Sequence, residues 1–237
     1  QVLRLLAEIR RELLEIRDQY GDKRRTTIMV DRLDLTSEDL IAQQDLVVTF
    51  SHQGYCKSQR VSEYRSQHRG GRGRSAARVK EEDFIERLFV ANSHDTLLCF
   101  SNAGKVYWLK VYELPLAGSG SRGRPIVNLL PLGEGERISA VLPVREFDAE
   151  RFVVFASRRG LVKKTALANY SRPRSAGIIA LDIVDGDALV AVALTGGSDH
   201  VLLFTDDGKV LRFDERDVRP MGRDARGVRG MRLGDKQ

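Results

Sequence analysis

The sequence predicts an all-β fold, β-propeller-like, of repeated four-stranded blades behind one N-terminal helix. Three observations predict it. Four segments share one strand–turn–strand pattern, a second glycine recurs at a nearly fixed offset from each turn, and seven-residue apolar periodicity is confined to the first 20 residues.

In the N-terminal stretch, Val2, Leu6, Ile9, Leu13, Ile16 and Tyr20 alternate at spacings of four and three, the seam of an a/d heptad. Gly21 follows, where a helix end favours a residue free to take positive φ. Residues 1–20 read either as one arm of a helical hairpin whose partner lies outside this chain, or as an amphipathic helix packed on the domain itself. Asp22 to Thr27 form a charged hinge, and Thr36-Ser37-Glu38-Asp39 offer capping chemistry for a short helical turn. Residues 1–27 are thus set apart from a β domain over residues 28–237.

The β domain is periodic. The segments LVVTFSHQGYCK (46–57), LLCFSNAGKVYW (97–108), VVFASRRGLVKK (153–164) and LLFTDDGKVLRF (202–213) place glycines at 54, 104, 160 and 208, separated by 50, 56 and 48 residues. Ser51, Ser101, Ser157 or Thr205 stands three residues before each. A tight hairpin needs a residue tolerant of positive φ, and a hydroxyl at the turn entry can bond the turn's own backbone. Gly73, Gly123 and Gly227 fall 19 residues beyond the hairpin glycine, and Gly177 falls 17 beyond. Units of about fifty residues with several short strands are the signature of radially arranged blades, which must stack because one blade cannot bury both faces of its sheet. The aromatics Phe50, Phe100, Trp108, Phe155 and Phe204 lie on the strand patterns and read as core.

Charge is distributed unevenly. The net charge is +6, but Lys57 to Lys80 holds eight Lys/Arg against one acid, and Arg158 to Arg174 holds six with none. Clusters at matching places in a repeat suit a polyanion-binding stripe. Cys56 and Cys99 form no C-x-x-C pair and read as reduced, buried thiols of a cytosolic protein. His52, His68, His94 and His200 lack metal-ligand spacing, and the Glu81-Glu82-Asp83 acids read as a solvated helix start. No run approaches 18 apolar residues, so no membrane partner is expected.

Within the first repeat stands Gln67-His68-Arg69-Gly70-Gly71-Arg72-Gly73, followed by Arg74. It resembles the gyrase A box, usually Q-R-R-G-G-K-G, with His68 and Arg72 as departures. SHQGY (51–55), SEY (62–64), SAARVKEEDFI (75–85) and GRPIVNLLPL (123–132) are also similar to that family, and GDKRRT (21–26) resembles the hinge after its coiled-coil arm. The chain thus resembles, over nearly its whole length, the C-terminal DNA-wrapping domain of the gyrase A protein of bacteria, a β-pinwheel. The resemblance implies a non-catalytic module, without a cofactor of its own, that wraps duplex DNA. It serves DNA gyrase, an ATP-dependent type IIA topoisomerase that introduces negative supercoils. The ATP and Mg²⁺ sites are expected in the partner gyrase B protein and the nucleophilic tyrosine in the preceding domain of the gyrase A protein. Two copies of each are expected in a bacterial cytoplasmic, nucleoid-associated enzyme. The family also implies that the box joins first blade to last, and that about six blades are usual where this chain offers four repeats; the expectation is either a truncated chain or an absent closing portion.

The expected DNA-binding residues are Gln67, His68, Arg69, Gly70, Gly71, Arg72, Gly73 and Arg74. The expected rim cations are Lys57, Arg65, Arg122, Arg124, Arg158, Arg159, Lys163, Lys164, Arg172, Arg174, Arg223, Arg226 and Arg229. Glycines let backbone approach phosphates while arginines supply counter-charge. Tyr64 is the one aromatic placed near DNA. The alternatives are the equivalent domain of topoisomerase IV, which usually lacks an intact box, and a protein-interaction propeller.

Overall fold

A computed structural model describes residues 2–22, 26, 38–64, 69–70 and 83–234. Contacts divide the chain into Gln1–Ser37 and Glu38–Gln237. In the first unit, α1 (Val2–Tyr20) carries the heptad seam, and its apolar side chains are exposed, Val2 and Tyr20 by 70% and 73%. Gly21 closes the helix by donating its N–H to the Arg17 carbonyl at 2.7 Å.

The second unit is built from hairpins. The first joins β1 (Asp45–Ser51) to β2 (Tyr55–Arg60); β3 (Ile85–Asn92) then returns to pair with β1. The second joins β4 (Thr96–Ser101) to β5 (Lys105–Lys110). Next come the two-residue β6 (Arg124–Pro125) and β7 (Ile138–Val144). The third joins β8 (Phe152–Ser157) to β9 (Leu161–Ala166), followed by β10 (Ile178–Ile179) and β11 (Leu189–Thr195). The fourth joins β12 (His200–Phe204) to β13 (Val210–Asp214), followed by β14 (Val228–Arg229).

Each turn closes as the serines and glycines require. Gly54, Gly104, Gly160 and Gly208 have φ between 76° and 83°. The Ser51, Ser101, Ser157 and Thr205 hydroxyls accept the N–H of Tyr55, Lys105, Leu161 and Lys209 at 3.0–3.2 Å. One local rule thus builds four hairpins.

The blades are not made from consecutive strands. The sheet orders are β3-β1-β2-β6, β10-β5-β4-β7 and β11-β8-β9-β14. The fourth strand of a blade is therefore delivered by the segment that follows the next hairpin: β6 pairs with β2, β10 with β5 and β14 with β9. Side chains four residues past the first three hairpin glycines strengthen the exchange. Ser58 Oγ donates to the Leu114 carbonyl, Trp108 Nε1 to Tyr170 and Lys164 Nζ to Glu215, at 3.4, 2.8 and 2.8 Å. Each acceptor lies in or just after the single-turn 3-10 helix that ends the following hairpin.

Hydrophobic burial welds neighbouring blades. Alternate residues of β4 face opposite ways: Leu97 and Cys99 pack with Val48, Phe50 and Cys56 of blade 1, while Leu98 and Phe100 pack with Val153 and Phe155 of blade 3. Both faces of the central strands are buried, so the strands read as continuous apolar runs. Blade 4 shows two strands among the described residues. Phe204, equivalent to the buried Phe50 and Phe100, is consequently 71% exposed and is not the core residue its pattern suggests.

Asp83 also differs from the sequence expectation. It begins no helix; 7% exposed, it accepts the N–H groups of Gln53 and Phe84 at 3.0 and 2.9 Å and so ties the first hairpin to β3. Asp187 does the same for Arg159 and Ala188 in blade 3. Burial raises the Asp83 pKa, but the Gln53 N–H, the Ser51 hydroxyl, the Phe84 N–H and nearby His52 together outweigh it and hold the carboxyl below its ordinary value. Glu81 and Glu82 lie outside the described residues.

Candidate nucleic-acid interface

The segments that deliver the fourth strands also carry the exposed arginines. Gly123, Gly177 and Gly227 lead into β6, β10 and β14 with φ of 90°, 71° and 95°. A Cβ on Gly123 or Gly227 would strike the Cys56 or Val162 carbonyl, and on Gly177 the Tyr107 ring. Backbone therefore lies against the neighbouring hairpin, and the adjacent side chains point to solvent. Exposed Arg122 and Arg124 flank the first of these glycines; exposed Arg172 and Arg174 precede the second, and exposed Arg223, Arg226 and Arg229 surround the third. Among the described residues, Arg122, Arg124, Arg172, Arg174, Arg223 and Arg229 stand in no ion pair, whereas Asp182 holds Arg226 at 2.6 Å.

Two grooves gather these cations. One is lined by Lys105, Arg174 and Arg223 with Asn169 and Asp224, and bridges the loops of Gly177 and Gly227. The other brings Arg158 and Arg159 of the third hairpin tip beside Arg229 and Arg232. Its acid, Asp187, is engaged by backbone N–H groups. The sequence reading missed Lys105 and Arg232; the signal available for Lys105 was its place directly after the second hairpin glycine.

Hairpin tips alone give no continuous basic track. Arg158 and Arg159 occupy the third tip, but Asp206 and Asp207 occupy the fourth and His52 and Gln53 the first. The glycine loops do better, with at least two solvent-accessible arginines on each of three successive segments.

Three lysines expected on the rim are inside the fold: Lys57, Lys163 and Lys164 are 0%, 1% and 4% exposed. The strand order makes β2 and β9 inner strands with both edges paired, and consecutive residues along each are buried, so both of their faces are covered as well. Lys57 Nζ donates to the carbonyls of Gly118 and Ser121, Lys163 Nζ to those of Ala180 and Arg223. Lys164 Nζ lies 3.8 Å from a Glu215 carboxylate oxygen and 4.9 Å from the Phe152 ring centroid. Burial lowers the Lys57 pKa and brings Lys163 to about 8. Tyr64 donates to Gln59 Oε1 at 2.6 Å, which holds its hydroxyl against the first blade.

Of the box, Arg69 and Gly70 are described; both are exposed, and Gly70 has φ 84°. Gln67, His68, Gly71, Arg72, Gly73 and Arg74, with Arg65, lie outside the described residues. Cys56 and Cys99 are free and buried, and burial pushes the Cys56 thiol up to about 12. Among the described residues no cluster of His, Cys, Asp or Glu could hold a metal ion, and no helix is long and apolar enough to cross a membrane.

The repeat geometry has a counterpart among known families. The family model described as DNA gyrase C-terminal domain, beta-propeller, matches residues 45–92, 95–145, 151–195 and 199–237, one segment per hairpin. The chain belongs to this family. Its relatives include the gyrase A protein of Salmonella typhimurium, 60% identical over 97% of this chain and 26% of the relative. The gyrase A protein of Escherichia coli K12 is 58% identical over 92% of this chain and 25% of the relative. The chain thus spans about a quarter of the length of these relatives. Among solved structures, the C-terminal domain of DNA topoisomerase IV aligns with a TM-score of 0.69 at 31% identity, covering 82% of this chain and 59% of that one. A DNA gyrase A C-terminal domain aligns at 0.65 and 26%, covering 81% and 62%. Fold likeness does not separate the two enzymes; sequence identity favours gyrase A.

Proposed function

We propose that this chain is a duplex-DNA-binding module that bends and wraps DNA along its glycine-loop arginines, within a gyrase that uses ATP to introduce negative supercoils. One observation carries the reading: arginines outside any ion pair among the described residues recur at one structural place in successive blades, each beside a glycine that pins the backbone. Such spacing suits contact with phosphates at intervals along a curved duplex, with little reading of bases. Bending a few tens of base pairs costs on the order of several kcal/mol, so many contacts must act together. In sequence, the box residues 67–74 set glycines beside arginines in the first repeat in the same way.

By family membership the remaining parts lie elsewhere. The rest of the gyrase A protein supplies the nucleophile, the gyrase B protein supplies the ATP and Mg²⁺ sites, and two of each assemble the enzyme in the bacterial cytoplasm. This module needs no cofactor of its own.

End-to-end energy transfer on a linear duplex of roughly 40 base pairs tests the proposal, with the full chain titrated at two salt concentrations. The ends should approach, and the effect should fade steeply with salt. Binding without any approach of the ends would overturn wrapping and favour a basic interaction propeller.

A further inference from the structure

In the first three hairpins the residue three places beyond the glycine touches an exchange segment. In blade 1 it is Lys57, whose ammonium donates at 2.9 and 3.0 Å to the Gly118 and Ser121 carbonyls of the loop carrying Arg122. In blade 3 it is Lys163, which donates at 2.7 Å to Ala180 and 2.5 Å to Arg223. Ala180 directly follows β10, the exchanged strand of blade 2, and Arg223 lies in the loop leading to β14, the exchanged strand of blade 3. One ammonium therefore ties two successive exchange segments. In blade 2 the position is Tyr107, whose ring meets Gly177 and whose hydroxyl donates to Glu136 at 2.9 Å.

We propose that Lys57 and Lys163 are positioning residues for DNA bending, which hold the arginine loops in place by their carbonyls and do not themselves touch DNA. The inference rests on the DNA-binding reading above. Each ammonium has two carbonyl acceptors and no more than 1% of the residue is exposed, so a phosphate has no route to it. Lys163 also lies 5.6 Å from the Phe155 ring centroid, which covers it further. Fixing the loop fixes the register of arginines against phosphates. Bending needs that register, whereas simple electrostatic attachment does not.

Lysine acetylation of the full chain, read residue by residue by mass spectrometry with and without a duplex of roughly 40 base pairs, separates the two roles. Lys57 and Lys163 should stay unmodified in both states while Lys105 and Lys209 react in the free chain. A Lys163 or Lys57 that reacts when free and is shielded by DNA would overturn the proposal. Lys163→Met retains length and apolar stem without the donors. It should raise hydrogen exchange over residues 222–227, lower bending at saturating protein at least about threefold, and leave the salt slope of binding unchanged. A slope reduced by about 0.9, the mark of one lost phosphate contact, with loop exchange unaltered, would sink the positioning role. Should the variant fail to fold, the acetylation pattern of the unmodified sequence still decides. Absence of any DNA binding by the unmodified chain would instead remove the functional reading, leaving the loop exchange of Lys163→Met as the measure of the clamp.

Discussion

Replacing Arg172 and Arg174 by Gln should change the salt dependence of DNA binding by a calculable amount. Six arginines on the glycine loops stand outside any ion pair among the described residues: Arg122, Arg124, Arg172, Arg174, Arg223 and Arg229. If each neutralises one phosphate, log K against log salt has a slope of about −5.4, at roughly 0.9 per contact. Raising salt fourfold, from about 50 to 200 mM, then weakens binding by a factor on the order of 2,000. The double variant should show a slope of about −3.6 and lose only roughly 150-fold over the same interval. Fluorescence anisotropy on a roughly 40-base-pair duplex across a salt series measures this. Since both side chains are exposed, stability should change by no more than about 0.5 kcal/mol. A weaker complex with an unchanged slope would refute phosphate contact by this loop and point to indirect disruption.

Three further outcomes follow from the same geometry. Neutralising Arg69 and Arg72 should lower bending more than binding; equal losses measured by energy transfer and anisotropy would count against a bridging role for the box. Gly123→Ala or Gly227→Ala places a methyl against a carbonyl at positive φ, and urea unfolding should show a loss of at least about 2 kcal/mol, where a neutral result would contradict the packed-loop geometry. For Lys163, burial lowers the pKa to about 8, opposed by Asp224 and Asp182 and aided by Arg223, while an unfolded lysine titrates near the usual 10.5. The unfolded chain therefore binds more protons between these values, and the stability of the native sequence relative to Lys163→Met should rise with pH from about 8 to 10.5. A falling or flat difference in urea midpoints would show that the amine is not desolvated.

The hairpins were legible because their cause is local. Ser51 and Gly54 need only their own backbone to close a turn, and the same holds at each repeat. The exchanged strands were not legible, because Arg124–Pro125, Ile178–Ile179 and Val228–Arg229 are too short to show any periodicity. Their place was marked only by the second glycines, whose offsets could be counted without revealing which hairpin they join. Burial of Lys57, Lys163 and Lys164 was hidden for a related reason: lysine in a basic run reads as a solvated cation unless its acceptors are known, and these acceptors are main-chain carbonyls up to 64 residues away. Asp83 misled likewise, since an acid after two acids suggests a helix start, whereas its partners lie across the hairpin at Gln53 and beside it at Phe84. Of the site, the loop arginines could be seen in sequence; their division into free and Asp182-held members could not.

Exchange of the fourth strand gives the domain the mechanics of overlapping roof tiles. A pull on Arg174, of the kind a stiff duplex exerts as it tries to straighten, passes through Gly177 into β10 and so into the hairpin of the preceding blade. Tension applied to one loop is therefore borne by two blades at once, with the strand's hydrogen bonds and the side chain of Tyr107 in its path. Such a chain of tiles resists peeling better than a row of self-contained sheets, and it predicts that force applied through bound DNA is shared along the domain before any single blade opens.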